Sequence, residues 1–426
     1  MRMSKKTKAR IHQAWWILVG LCIIVGVGKG VLNNSASLYL TPISQDLGIG
    51  MGDLTLYLSV SAVVTLLFLP FAGKLVAKYN IRTLIIVAIL LQAGAYIAFS
   101  FMNSVWGWYV FAVPLSVGGT FITVIVGPVL INQWFKKRNG LALGILTATG
   151  GILGAIAQPI IGSLIVSNGW RFSYAAMGIA GIALVVISTF VFIKKMAPEK
   201  GLGPYGLDDE ENDSTKEETQ QASEESGVTF AAARKSSSFY ALMIFFFFIT
   251  AISSFMMHIP TYIVDSGLTQ EFAGNAMGIY MLGVVLASLV IGFLNDKLGT
   301  KNTTILTMIL GIASVLILLY AAASPVMIII ALILFAFVTS GIGIIAPALT
   351  SSLFGNREYS QIYSNVSLGL AIASIVALPA YGYIFQFTGS YAGGLYAILA
   401  MLIINIITVF IAYNGKKKLE QAGLWN

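Results

Sequence analysis

The chain has 426 residues, of which 57% are hydrophobic and only 10% charged, with a formal net charge of +8. A chain this apolar is a polytopic membrane protein, not a soluble enzyme. The basic balance does not point to nucleic acid, because its charges lie in the connections between apolar stretches, and the lone cysteine, Cys22, excludes an intrachain disulfide.

Twelve spans are predicted, at about 14–39, 53–76, 83–102, 106–132, 139–166, 171–193, 239–263, 273–295, 303–323, 326–350, 361–387 and 392–413. The basic tail ahead of the first span leads into an apolar run too long for an h-region, so no cleaved leader is expected. The first span, AWWILVGLCIIVGVGKGVLNNSASLYLTP from Ala14 to Pro42, holds Lys29 near its middle. An ammonium at that depth costs about 2.5–3.5 kcal/mol on insertion scales unless it meets water, a partner or a ligand. Asn33, Asn34, Ser35 and Ser37 follow within three turns, so part of this helix is expected to face a wet cavity.

Lysine and arginine orient the spans. With both ends cytoplasmic, 23 of the 25 basic residues fall in cytoplasmic segments, the exceptions being Lys29 and Arg171. Asp46, Asp53, Asp265 and Glu271 fall on the outer side, and the other thirteen carboxylates are cytoplasmic. Lys29 is left as the charged side chain at membrane depth, with no acid in a span to neutralise it.

The chain also repeats itself. A shift of 219 residues carries Gly73 onto Gly292, Lys78 onto Lys297, Arg82 onto Lys301, Pro128 onto Pro347, Phe135 onto Phe354 and Arg138 onto Arg357. Six spans separate the copies, so both have the same orientation, as in a parallel 6+6 repeat. The expected fold is an all-α membrane protein of twelve transmembrane helices in two six-helix pseudo-repeats. Its domains are an N-terminal bundle at 1–193, a linker at 194–238 and a C-terminal bundle at 239–426. The linker is acidic, rich in Ser, Thr and Gln and poor in apolar residues, so it is expected to be a disordered cytoplasmic tether.

At this point the chain resembles the major facilitator superfamily. GFLNDKLGTK, from Gly292 to Lys301, is similar to that superfamily's G-x-L-x-D-x-x-G-x-[KR] signature, and GKLVAKYNIR is a degenerate copy with Ala77 in place of the acid. NQWFKKRNGLALGILTATGGILG (Asn132 to Gly154) and NGWRFSYAAMGI (Asn168 to Ile179) resemble passages of the monocarboxylate and oxalate/formate carriers. The resemblance implies transport of a small organic anion, by proton symport or anion exchange. The chain departs from that branch at Ser288, where many members carry an arginine, and its eleventh span has no lysine.

Lys29 is the leading candidate for binding substrate, since a carboxylate there would turn an isolated charge into a pair; otherwise it snorkels or bonds backbone carbonyls. Asn33, one α-helical turn on, is placed on the same face. His258, just before Pro260, belongs to the span that the repeat pairs with the first; it either contacts an anion or carries a proton, or is satisfied by backbone or water. Tyr57 near an outer end is a gate aromatic or an interfacial belt residue. Thr123, Tyr280 and Asn365 are candidate polar groups of the cavity, although Ser, Thr and Asn often only join helices.

No residue pattern supports catalysis, a metal or a cofactor. The two histidines are far apart and no acidic cluster accompanies them. The expected protein is therefore not an enzyme. It is a multi-pass protein of a bacterial plasma membrane that moves a small, anionic molecule across the lipid bilayer, with protons as a candidate co-substrate. An efflux carrier for amphipathic or neutral compounds is a second reading, favoured by Ser288 and the aromatic, Met-rich seventh span. A transporter-like membrane sensor is a third, resting on the acidic linker.

Overall fold

The structure is a computed structural model that describes residues 12–135, 138–193, 205, 226–320 and 324–425. The described residues hold ten helices long and apolar enough to cross a membrane. Two of these, Asn139–Phe192 and Gln270–Tyr320, run 54 and 51 residues, while one crossing takes about 20. Each is broken once, at Gly169 (φ 82°) and at Gly299 (φ 77°). Only glycine adopts that backbone without strain, so each long helix is two spans and the described residues hold twelve.

In chain order these are α1 (Gln13–Leu47), α2 (Met51–Lys78), α3 (Ile81–Phe99), α4 (Val105–Trp134), α5 (139–168), α6 (170–192), α7 (Ser237–Asp265), α8 (270–298), α9 (300–320), α10 (Pro325–Phe354), α11 (Tyr359–Thr388) and α12 (Ala392–Gln421). Their starts follow ordinary capping rules. The side chain of Asn80 accepts from Arg82 N at 2.9 Å, and Ser324 caps α10 with Pro325 in its first turn.

The turn between α5 and α6 is fastened by its own residues. Trp170 Nε1 donates to Asp46 Oδ2 at 3.0 Å. The Arg171 guanidinium donates to the carbonyls of Ser100 and Met102 and lies 4.2 Å from the Trp170 ring centroid. An arginine outside the basic connections is thus accounted for by the end of α3, whose carbonyls it satisfies.

The helices α1–α6 form one half and α7–α12 the other. One end of the molecule carries Lys74, Lys78, Arg82, Lys297, Lys301 and Arg357, and is called here the basic end. At the opposite end the halves are in close contact. An added Cβ at Gly382 of α11 would lie 2.9 Å from Gly52 Cα of α2, and one at Gly274 of α8 would lie 3.1 Å from Gly162 Cα of α5. Thr41 Oγ1 donates to Thr261 Oγ1 at 2.9 Å between α1 and α7. Toward the basic end, an added Cβ at Gly140, Gly144 or Gly292 would have no other atom within 4 Å.

Most of the expected disordered linker, 194–204 and 206–225, lies outside the described residues. Its remainder departs from that expectation. Tyr205 N donates to Trp134 O at 2.9 Å, and its ring packs edge-on against His12 and Trp15. In the second half, Val228 N donates to Phe354 O at 2.8 Å and Asn356 N to Ser226 O at 2.9 Å. Glu358 accepts from Phe230 N at 2.6 Å. The reason is local: 226–236 carries Val228 and Phe230, and its free backbone groups meet those of a helix end. The two docking points, at Phe135 and at Gly355, fall on the positions related by the 219-residue repeat, within one residue.

Candidate functional site

The site is built around an irregular stretch of α1. Residues Gly26–Asn33 are π-helical, and Asn34 N donates to Lys29 O at 3.0 Å, five residues back. The sequence GVGKG explains why α1 sits so deep. A Cβ at Gly26 would lie 2.4 Å from Leu153 Cδ1, one at Gly28 2.6 Å from Ile122 Cγ2, and one at Gly30 2.3 Å from Gly150 O. Glycines on both flanks therefore let α5 and α4 close on α1. A second π-helical stretch, Phe121–Val126, lies in α4. Wide turns of this kind concentrate at functional sites because they re-aim side chains.

Lys29 leaves α1 alongside α5. Gly26 and Gly30 meet α5, Gly28 meets α3 and α4, and Val27 packs toward Gly181 of α6. The lysine stem runs over Gly150, where an added Cβ would sit 3.3 Å from Lys29 Cδ. Beyond it, Gly151 packs on Val285 of α8, while Gly154 lies against Met281 and the Asn34 amide. Lys29 stands one turn from this meeting of α1, α5 and α8, toward the basic end. Its side chain is exposed, and among the described residues no acceptor or carboxylate pairs with it.

A cavity of about 290 Å3 is lined by Asn33, Tyr57, Ser61, Thr65, Tyr96, Thr120, Thr123 and others, Lys29 not among them. Met257 is its one lining residue from the second half. Gln92, wholly buried in α3, stands behind the wall. Its Nε2 donates to Gly28 O and to Asn33 Oδ1, each at 2.9 Å. Gly119 leaves the opening through which this amide reaches α1, for an added Cβ there would lie 3.4 Å from Gln92 Nε2. Tyr96 donates its hydroxyl to Leu32 O, and Thr65 and Thr120 bond to each other at 3.1 Å.

Of the seven residues expected at the site, the structure brings Asn33, Tyr57 and Thr123 together on one wall, with Lys29 a turn away on α1. Asn33 is bonded to Gln92 of α3. The other three stand elsewhere. His258 is wholly buried, with Nδ1 2.9 Å from Tyr391 Oη and Nε2 2.9 Å from Leu378 O. A carbonyl only accepts, so Nε2 carries the proton and Nδ1 accepts from the tyrosine. Both nitrogens are in use within the second half, in keeping with the second of the two readings given for His258 above. Tyr280 is likewise buried, its hydroxyl bonded to Thr339 at 2.6 Å between α8 and α10. Asn365 donates to Gln361 O of its own helix at 2.8 Å and does not line the cavity.

Gln92, Tyr96, Ser61 and Thr65 were missing from the sequence-based set. Their signal is spacing: Gln92 is the one amide of α3, with Tyr96 a turn later, and Ser61 and Thr65 are a turn apart on α2.

Comparison with known proteins agrees with this architecture. The sequence model of the Major Facilitator Superfamily matches residues 18–274 and 265–424. The riboflavin transporter RibJ of Trypanosoma brucei brucei is 28% identical over 174 residues, covering 40% of this chain and 31% of that protein. The chain thus spans only about a third of that relative's length. The oxalate:formate antiporter of Oxalobacter formigenes is 23% identical over 420 residues, covering 94% of this chain and 90% of that protein. Monocarboxylate transporter 1 of Bos taurus is 26% identical over 166 residues, covering 38% of this chain and 32% of that one. Among solved structures, an inward-facing, unoccupied bacterial homolog to the human lysosomal transporter Spinster superimposes with a TM-score of 0.70 at 14% identity, covering 97% of this chain and 98% of that one. With a family model spanning nearly its whole length and the twelve-helix architecture it predicts, the chain belongs to the major facilitator superfamily and resembles its monocarboxylate and oxalate/formate branch.

Proposed function

We propose that this protein is a secondary transporter of a small organic anion, monocarboxylate-like, working by alternating access as a proton symporter or anion exchanger. The observation that carries the proposal is Lys29, an exposed cation without a partner among the described residues, one turn from the meeting of α1, α5 and α8. A carboxylate entering the gap completes an ion pair in a region poor in water, where such a pair is strong. The substrates named for the oxalate:formate antiporter and for monocarboxylate transporter 1 support the same class.

In this proposal the bundles 1–193 and 239–426 rock about the bound anion. The basic end is cytoplasmic, as the distribution of Lys and Arg favours, both termini are cytoplasmic, and the membrane is a bacterial plasma membrane. The conformation with the halves in contact at the opposite end is then inward-facing. The experiment is counterflow of radiolabelled organic acids in proteoliposomes with Lys29→Gln. Loss of uptake with unchanged expression and melting temperature supports the proposal, and uptake at the wild-type rate overturns it.

A second reading, an efflux carrier for amphipathic or neutral compounds, is favoured by the uncharged cavity wall at Asn33, Tyr57 and Thr123. It predicts that Lys29→Gln leaves transport intact while hydrophobic cations inhibit it.

A further inference from the structure

On α5, Ile145, Ile152, Ile156 and Ile160 are exposed and fall on one stripe by helical spacing. At the level of Ile160 the two halves touch, through Gly162 and Gly274 of α8. The stripe therefore faces the bilayer, not the space between the halves. α1 joins the same face through Trp16 and Val19, both exposed, with Trp16 stacked on Phe192 of α6 at 12°. Between the two helices lies a recess of about 550 Å3, lined by Trp16, Val19, Cys22, Ile145, Thr149, Leu153 and others. It ends where Gly26 receives Leu153, an added Cβ there lying 2.4 Å from Leu153 Cδ1. α4 stands behind it, with Phe135 edge-on to Trp15 at 5.4 Å and Gly127 against Leu146.

We infer that this recess binds one acyl chain of a glycerophospholipid from the leaflet at the basic end, with the lipid phosphate at Arg138. The depth fits. From Trp15 to Ile23 the lining on α1 covers about 12 Å of helix rise, close to half of a hydrocarbon core about 30 Å thick. The indoles of Trp15 and Trp16 lie at its basic end, where tryptophan meets the headgroups. The chemistry fits as well. The Thr149 hydroxyl is spent on Ile145 O of its own helix at 2.8 Å, and the Cys22 thiol behaves as a small hydrophobe. The deep part of the recess thus suits hydrocarbon. Arg138 is exposed, three residues past Phe135 and two turns ahead of Ile145, and a guanidinium bonds phosphate in two places at once. Tails are as apolar as leucine, so burial alone gives no preference over open bilayer. The preference comes from dispersion contacts on several sides of the chain and from the phosphate bond. Lys29 lies across the α1–α5 contact, over Gly150, so this site is separate from the anion site.

The experiment places the full chain in vesicles containing phosphatidylglycerol with a diazirine on one acyl chain. After photolysis, the labelled peptides are mapped by mass spectrometry. Residues 15–23 and 145–153 are expected to carry severalfold more label than the exposed face of α8 at Leu286 and Leu289, and unlabelled phosphatidylglycerol should compete to saturation. Thr149→Trp and, from the other wall, Val19→Trp fill the recess and bring its label down to the α8 level. Ile156→Trp, on the same stripe beyond the recess, leaves the label unchanged. Arg138→Gln lowers it about twofold to fivefold, the range of an exposed ion pair. Unchanged α8 labelling and melting temperature separate a filled recess from a misfolded chain.

Label in the recess no higher than on α8 overturns the inference, as does label that survives both filling variants. A diacylglycerol with the same chain that labels as strongly as the phospholipid, with no loss in Arg138→Gln, overturns the placing of the phosphate. A diazirine-bearing fatty acid that labels the recess more strongly than the phospholipid overturns the choice of occupant.

Discussion

Asp53 and Gln386 are bonded to each other in both directions across the two halves. Gln386 Nε2 donates to Asp53 Oδ2 at 3.2 Å, and Gln386 Oε1 accepts from the backbone N–H of Asp53 at 3.4 Å and of Gly52 at 2.9 Å. The first N–H groups of any helix lack intrahelical acceptors. Here those of α2 are capped by a side chain of α11, and Tyr383 adds a bond to Asp53 Oδ1 at 2.9 Å. These bonds must break for the halves to part at this end. Gln386→Ala is therefore expected to shift the population toward opening there by roughly tenfold, the equivalent of about 1.4 kcal/mol. Spin labels at the exposed positions Gln45 and Thr269, in a Cys22→Ser background, report the distance between the halves. An unchanged distance distribution would show that the bonds do not hold this end shut.

The seam between α5 and α8 depends on small residues. A Cβ at Gly278 would lie 2.8 Å from Ala155 O, and one at Gly274 2.9 Å from Gln158 O. Gly274→Val should keep the halves from closing at this end while each half still folds. Transport is expected to fall at least tenfold, with the same label pair moving apart and the monodisperse yield retained.

Gly30→Ala tests the depth at which α1 is set. Its methyl group would meet the Gly150 carbonyl oxygen, a backbone atom that cannot swing aside. Overpacking of this kind costs about 1–3 kcal/mol, and relief by moving α1 displaces Lys29. A lowered melting temperature with weakened anion affinity is expected. Wild-type values of both would mean that the contact is looser than the geometry indicates.

His258→Phe should lower stability and spare recognition. It leaves the Leu378 carbonyl and the Tyr391 hydroxyl without their partner, at about 1–3 kcal/mol for each buried group. Both contacts lie inside the second half, so the substrate affinity of the folded fraction should hold, as should the pH profile of transport. A changed pH profile would return the histidine to the transport pathway.

The twelve spans, the two glycine-marked turns and the parallel repeat were legible in the sequence because a bilayer demands long apolar helices and glycine alone tolerates those turns. Lys29 was legible for a related reason, since charge is rare at membrane depth. The neighbourhood of Asn33 was not. Helical spacing relates it to the lysine, whereas its bonded partner, Gln92, lies 59 positions away in α3. His258 stayed open between two readings because a polar residue in a span reads the same whether it faces a cavity or a tyrosine in its own bundle. Sorting these requires knowing the partner, and Tyr391 is 133 positions away.

The anchors of the central connection have a mechanical consequence. Tyr205 is fixed at the end of α4 and Ser226 at the end of α10, leaving 20 residues, 206–225, between them. A chain of that length can reach about 70 Å when drawn out, far more than the mouth of a single carrier requires. Each half therefore holds its own end of the connection. Cutting the gene within that stretch and expressing the pieces together should yield a working carrier, each piece keeping its own anchor.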